Sequence, residues 1–128
     1  KGDCFHCHGT FLNPIWTNNL FMDNGLDANP DSGLASVTKR ASDLGKFKVP
    51  SIRNLGFTAP YMHDGRFNTL LEVIDHYDTG IQNSPNLDPN LDPNTKPRTL
   101  SPQEKQDLIA FMMALNDSSF VNNPAFQP

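Results

Sequence analysis

The sequence has few cysteines, no long apolar run and no excess of basic charge, and each of these absences excludes a class of protein. Two cysteines in 128 residues are too few for a disulfide-stapled scaffold. A net charge of −4 argues against a nucleic-acid surface, which needs a basic stripe. The longest apolar runs, such as residues 111–115, are far shorter than the ~20 residues that span a bilayer. We therefore expect no nucleic-acid partner and no membrane insertion.

The sequence contains little apolar material for a domain that has to build its own core. Hydrophobic residues make up 37% of the chain, and eleven prolines and eight glycines limit regular structure. An internal apolar cofactor would add surface for packing. No secretory signal is visible, because Lys1 lies only three residues ahead of the first motif. We therefore expect the sequence to be a portion of a longer protein.

Three segments have the pattern of helices. Thr69 and Glu72 have the spacing of a capping box ahead of several apolar residues, and Gly80 is a stop signal beyond them. Ser101 and Glu104 repeat the capping box, with a proline at the first helical position. The intervening chain alternates too little to predict a strand. The three predicted helices lie at about residues 1–8, 68–77 and 101–115.

Cys4, Cys7 and His8 form the pattern C-x-x-C-H, which is typical of covalent haem c attachment. On a helix these positions share one face, so both thiols can bond the porphyrin while the imidazole ligates iron. A structural zinc site would need further ligands, and His63 and His76 are too far apart for the usual histidine spacing. A thioredoxin-like dithiol would need a preceding strand, for which the chain has no room. The motif therefore predicts one covalent haem c with His8 as proximal ligand.

The predicted fold follows from the haem and the helices together. We expect a mostly α-helical, cytochrome c-like domain over residues 1–128, wrapped around one covalently bound haem, with long irregular loops. The distal iron ligand then decides the chemistry, because methionine favours electron transfer whereas a tyrosine-ligated or open iron favours peroxide or oxygen chemistry. From its position in the chain, Met62 is the first methionine to consider.

Three stretches carry a more specific signal. Residues 48–54 read KVPSIRN, residues 58–67 read TAPYMHDGRF and residues 69–73 read TLLEV. Together with C-x-x-C-H they resemble the bacterial di-haem cytochrome c peroxidase family, which includes the MauG-like enzymes. The resemblance covers about the whole chain. It implies the family's C-terminal domain, which holds a six-coordinate, electron-transferring haem, while the N-terminal domain with the second haem has no counterpart here.

The resemblance also bears on the distal ligand. Members that use methionine place it fourteen residues after the histidine that matches His63, and this sequence has Tyr77 there. The MauG-like branch has a tyrosine ligand at that point. The resemblance therefore makes Tyr77 the first choice and Met62 the alternative, with an open iron third. Tyr77 as an ordinary core aromatic is the competing interpretation.

The same resemblance predicts roles for further residues around the haem and at a calcium site. Arg53, Arg66 and His63 are expected in the haem surroundings, although solvated arginines and a simple Asp64-Gly65 turn explain the same residues. The backbone carbonyls of Thr58 and Pro60 match part of a calcium site that the family completes from its other domain, since calcium takes six to eight oxygens.

The resemblance implies a function in which a small electron-donor protein reduces this haem. The electron then passes to the second haem of the missing N-terminal domain, where peroxide is reduced. The alternative is a self-sufficient mono-haem oxidoreductase that acts at a tyrosine-ligated or open iron. Covalent haem attachment and the habit of the family imply a periplasmic location.

Overall fold

A computed structural model describes residues 1–10 and 12–126 of the chain, so residues 11, 127 and 128 of the predicted domain lie outside it. The described residues form short helices and turns that are joined by long irregular segments. The α-helices are Phe5–His8 (α1), Ala35–Thr38 (α2), Leu70–Asp75 (α3), Pro102–Ala114 (α4) and Ser118–Val121 (α5). The strands are Phe21–Met22 (β1) and Phe47–Lys48 (β2), and 3₁₀ turns lie at Ala41–Asp43, Leu55–Phe57 and Pro124–Phe126.

Strands β1 and β2 pair in an antiparallel ribbon, with Phe21 opposite Lys48 and Met22 opposite Phe47. The expectation that the chain has no strand was therefore wrong. Two-residue strands are too short to produce an alternating pattern, so nothing in the sequence signals them. The pairing extends through a bond from the Val49 amide to the Leu20 carbonyl (2.9 Å). It brings the chain after β2 alongside the chain that follows α1.

The capping boxes predicted for the two later helices are both present. Thr69 accepts from the Glu72 amide at the start of α3, and Ser101 accepts from the Glu104 amide at the start of α4. Helix α3 continues directly into a wider, π-helical turn, His76–Gly80. The predicted helix over residues 68–77 therefore ends in irregular helical geometry, a form that is frequent at functional sites.

The apolar core is small. Its buried members are Leu26, Val49, Leu70, Ile74 and Leu91. Helix α4 has no fully buried residue, although it is the longest described helix. Its Phe111 stays 42% exposed and Met113 46% exposed. The packing of the chain on itself therefore covers only part of its apolar surface, as the composition suggests.

A buried carboxylate ties the irregular segments together. Asp23, only 1% exposed, accepts the Gly25 amide (2.9 Å) and the Ser84 hydroxyl (2.7 Å). Its backbone carbonyl accepts the Asp88 amide (3.1 Å). Since an unbonded buried carboxylate is costly, these contacts hold the chain after β1 against the 84–88 segment. Across the described residues, no helix is both long and apolar enough to span a membrane.

The α4 capping box predicts a pH-dependent contribution to stability. The Ser101 amide and the Lys1 ammonium lower the pKa of Glu104 from its ordinary 4.5 to about 2. A carboxyl group whose pKa is lower in the folded state than in the unfolded state stabilises the fold at pH values above its unfolded pKa. That stabilisation is lost as the pH falls towards its folded pKa. We expect Glu104→Gln to lower the free energy of unfolding at pH 6 and to have little effect near pH ~2. Urea unfolding at both pH values measures this, and an equal effect at both would contradict it.

Candidate haem-binding site

The attachment motif forms a single helical turn. The amides of Cys7 and His8 both donate to the Cys4 carbonyl, at 3.3 and 3.0 Å. Gly9 ends the turn at φ 75°, where a Cβ atom would come within 2.9 Å of Asn13. Because L side chains rarely adopt this conformation, glycine suits the sharp exit. The turn gives Cys4, Cys7 and His8 the i, i+3, i+4 spacing expected from the sequence.

Neither cysteine is part of a disulfide. The Cys7 sulfur lies 3.4 Å from the Met22 sulfur at the end of β1, and the Cys4 sulfur lies 3.5 Å from the Gly2 carbonyl. Burial raises the pKa of Cys4. Burial and the Asp88 carboxylate raise the pKa of Cys7 to about 11. The described residues contain no group of three or more His, Cys, Asp or Glu that could hold a metal ion.

The His8 ring lies against two backbone carbonyls, those of Pro50 and Trp16. Its Nδ1 lies 3.1 Å from the Pro50 carbonyl, which can only accept, so Nδ1 carries the proton and donates. Burial lowers the pKa of His8 and favours the neutral ring. The Nε2 lone pair is therefore the one left for a metal, in the arrangement usual for metal-ligating histidines. This donor set fits a haem iron.

The two distal candidates converge on one amide. The Asn24 Nδ2 lies 3.4 Å from the Tyr77 hydroxyl and 3.5 Å from the Met62 sulfur. Burial raises the pKa of Tyr77, and the hydrogen bond from Asn24 opposes the shift. Met22, two residues before Asn24, places its sulfur 3.4 Å from the sulfur of Cys7. The fold thus brings the predicted distal residues and the attachment cysteines into one region.

Met62 lies in a tight turn. Tyr61 and Phe67 form an antiparallel bridge on either side of it, and the Gly65 amide donates to the Met62 carbonyl (3.3 Å). Met62 and Gly65 both have φ 71°. The Asp64-Gly65 pair is therefore part of a turn, as its competing interpretation held.

The predicted arginines have protein partners. The guanidinium of Arg66 contacts Asp27 at 2.7 Å and Asp64 at 2.7 Å. Arg53 is exposed and donates to the Pro14 carbonyl (3.2 Å). Their assignment to the haem surroundings stays a prediction, and the two carboxylates on Arg66 favour a structural role for that residue.

His63 and the predicted calcium carbonyls lie in the same part of the chain. His63 contacts Asp31 (3.1 Å) and stacks on Phe47, with ring centroids 3.8 Å apart. Among the described residues, no donor reaches the carbonyls of Thr58 and Pro60, and both residues are exposed. Two carbonyls are too few for calcium. The calcium half-site therefore also stays a prediction.

The sequence interpretation missed two residues of this region. Asn24 carries no motif, and its role depends on contacts across the chain. Arg98 is 7% exposed and donates to the carbonyls of Gly2 (3.1 Å) and Asn90 (2.8 Å). Within the described residues no carboxylate pairs with it, and the Gly2 carbonyl that it binds also lies 3.5 Å from the Cys4 sulfur. A lone arginine between loop residues gives no sequence signal of burial.

The fold and this site define a c-type cytochrome domain, and comparison with known proteins supplies the family. The chain is 50% identical over 91 residues to cytochrome-c peroxidase IdrP1 of Pseudomonas sp. (strain SCT). It is 36% identical over 117 residues to the methylamine utilization protein MauG of Methylorubrum extorquens. No protein-family model matches. The chain belongs to the bacterial di-haem cytochrome c peroxidase family that includes MauG, which confirms the resemblance.

Solved structures give the same result for the fold. A MauG-like protein associated with microbial copper homeostasis matches 99% of this chain with a TM-score of 0.83 and 35% identity. The diheme peroxidase BthA of Burkholderia thailandensis matches 94% with a TM-score of 0.72 and 20% identity. The chain spans 46% and 40% of these two structures, and 23% and 31% of IdrP1 and MauG. It thus corresponds to part of its relatives.

The two histidines of the motif offer a matched test. His8→Gln should abolish the low-spin haem spectrum and most haem incorporation, because the imidazole held by Pro50 is lost. His6→Gln should leave both unchanged, since the His6 ring contacts Asp3 (3.2 Å) and the neighbouring Phe5 ring. The His6 carbonyl, which accepts from the Asn18 amide (3.1 Å), is retained in the variant. Absorbance of the purified variants, after expression in a host that attaches haem c, measures the difference. Equal loss in both variants would contradict the assignment.

Proposed function

We propose that this chain is the electron-transfer haem domain of a di-haem peroxidase-family protein. The observation that carries the proposal is the convergence of Tyr77 and Met62 on Asn24, two residues after Met22, whose sulfur lies 3.4 Å from that of Cys7. With His8 on the proximal side, a protein ligand is then available for each axial position. A haem iron with a protein ligand on each side would have no open site for peroxide and could still store and pass single electrons. A tyrosine ligand in place of methionine would lower the reduction potential at which it does so.

Each residue of the site has a definite part in this proposal. Cys4 and Cys7 would form the thioethers to a haem, and His8 would bind its iron through Nε2 while the Pro50 carbonyl holds the other ring nitrogen. Tyr77 is the distal ligand of first choice, and Met62 is the alternative. The bound haem supplies one-electron redox chemistry, and the chain sets its orientation and its potential through these ligands.

The exposed apolar surface supports a partner within the same protein. Phe57, Phe111 and Met113 are each at least 42% exposed, and Gly56 packs against Met113. The calcium half-site at Thr58 and Pro60 follows directly after Phe57. Because the chain spans less than half of the matched structures, we propose that the N-terminal haem domain covers this surface. A small donor protein would reduce the haem, in the periplasm.

Ligand variants test the distal assignment. Tyr77→Phe should change the ferric absorption spectrum of the haem-loaded chain, because the oxygen ligand is lost. Met62→Leu should leave the ferric ligation as it is. The weak long-wavelength band of methionine-ligated ferric haem reports a sulfur ligand directly. A high-spin spectrum in the Met62 variant alone would make methionine the ligand.

Turnover separates the proposed role from the mono-haem enzyme. The haem-loaded 128-residue chain should accept electrons from a small reductant and return them to an oxidant. It should consume hydrogen peroxide no faster than a His8→Gln control. Robust peroxide turnover with an added donor would instead favour a self-sufficient oxidoreductase.

A further inference from the structure

Asn24 lies on a rigid part of the chain, although it belongs to no regular element. It follows β1, and its backbone carbonyl accepts from the buried His76 ring (3.1 Å). The preceding Asp23 carboxylate holds the Gly25 amide, and the Gly25 carbonyl accepts the Gln82 amide (2.7 Å). The backbone is thus fixed on both sides of Asn24. These backbone hydrogen bonds therefore fix the point from which the Asn24 side chain extends.

The side chain of Asn24 meets two acceptors at once. Its amide nitrogen lies 3.4 Å from the Tyr77 oxygen and 3.5 Å from the Met62 sulfur. A thioether sulfur can only accept, so the NH₂ end and not the carbonyl end of the amide faces it. The NH₂ group has two hydrogens and can serve both partners. Asn24 is therefore a donor shared by the two candidate ligands.

The support of Asn24 and that of Tyr77 are linked. His76, which donates to the Asn24 carbonyl, is the residue before Tyr77 in the π-helical turn. The ring of His76 also contacts that of Tyr77, with centroids 5.1 Å apart. Donor and acceptor are therefore held by the same pair of segments, which keeps the amide aimed at the hydroxyl.

We propose that Asn24 is the positioning residue that selects Tyr77 over Met62 as distal haem ligand. The proposal rests on the distal assignment made above for the function. An amide N–H bonds oxygen more strongly than thioether sulfur, and a bond to a charged phenolate is stronger still. The donor therefore stabilises the ligating form of Tyr77. Its second hydrogen keeps the Met62 sulfur beside it.

The test measures how firmly the distal ligand is held, with cyanide as a competing ligand for ferric haem. Asn24→Leu replaces the amide with a side chain that is branched at the same carbon but has no hydrogen-bond donor. We expect cyanide to bind the haem-loaded Asn24→Leu chain about fivefold more tightly, which corresponds to the loss of one ordinary hydrogen bond. The ferric spectrum should lose part of its tyrosinate character. Asn94→Leu, at an exposed amide that contacts Asp92, is the matched control and should change neither.

Double variants separate positioning from a merely structural role. In a Tyr77→Phe background, Asn24→Leu should no longer change cyanide affinity, because no phenol oxygen remains to be held. In a Met62→Leu background the full effect should persist. Should the leucine variant fail to fold, Asn24→Asp keeps the shape and removes the donor, and the same sign of change is expected.

Two results would overturn the proposal, and they are distinguishable from failure of the proposed ligand. An Asn24 effect of equal size with and without the Tyr77 hydroxyl would make the residue structural. If Asn24→Leu changes neither cyanide affinity nor the ferric spectrum while Tyr77→Phe does change the spectrum, only the selection by Asn24 is overturned. If Tyr77→Phe itself changes nothing, the distal assignment fails and the selection fails with it.

Discussion

The hydrogen bond from His8 Nδ1 to the Pro50 carbonyl is the interaction on which the rest of the site depends. It fixes the proton on one ring nitrogen and so determines which nitrogen can meet a metal. The bond is possible only because β1 and β2 pair, which carries Pro50 back to the attachment turn. Thr17 adds a bond from its hydroxyl to the Val49 carbonyl (2.7 Å). The pairing of these two short strands therefore positions the carbonyl that orients the His8 ring.

The irregular chain is held by buried polar contacts more than by an apolar core. Asp23, His76 and Arg98 are each at most 7% exposed, and each is bonded to backbone or hydroxyl groups of distant segments. Satisfied networks of this kind specify one arrangement, because every alternative leaves a buried polar group unpaired. This explains how Asn24 and Tyr77 are directed at each other although the described residues include only five buried apolar core residues.

What could be predicted from the sequence was local. The attachment turn and both capping boxes depend on residues within four positions of each other, and the structure confirms them. The β1–β2 ribbon, the Arg66 contact with Asp27 and the role of Asn24 depend on contacts across more than twenty residues, which no periodicity reports. The long motifs around Pro50 and Met62 identified the family. They did not reveal which partners the side chains have.

The placement of the two distal candidates favours oxygen for a physical reason. Tyr77 lies in a π-helical turn that is continuous with capped α3, so its position is set by a helix. Met62 lies in a turn with φ 71°, which its surroundings have to hold against local preference. Both face one donor, and a donor at equal reach stabilises a phenolate more than a thioether. Ligand identity would then depend on the hydrogen bond beside the iron as well as on the residue that reaches it.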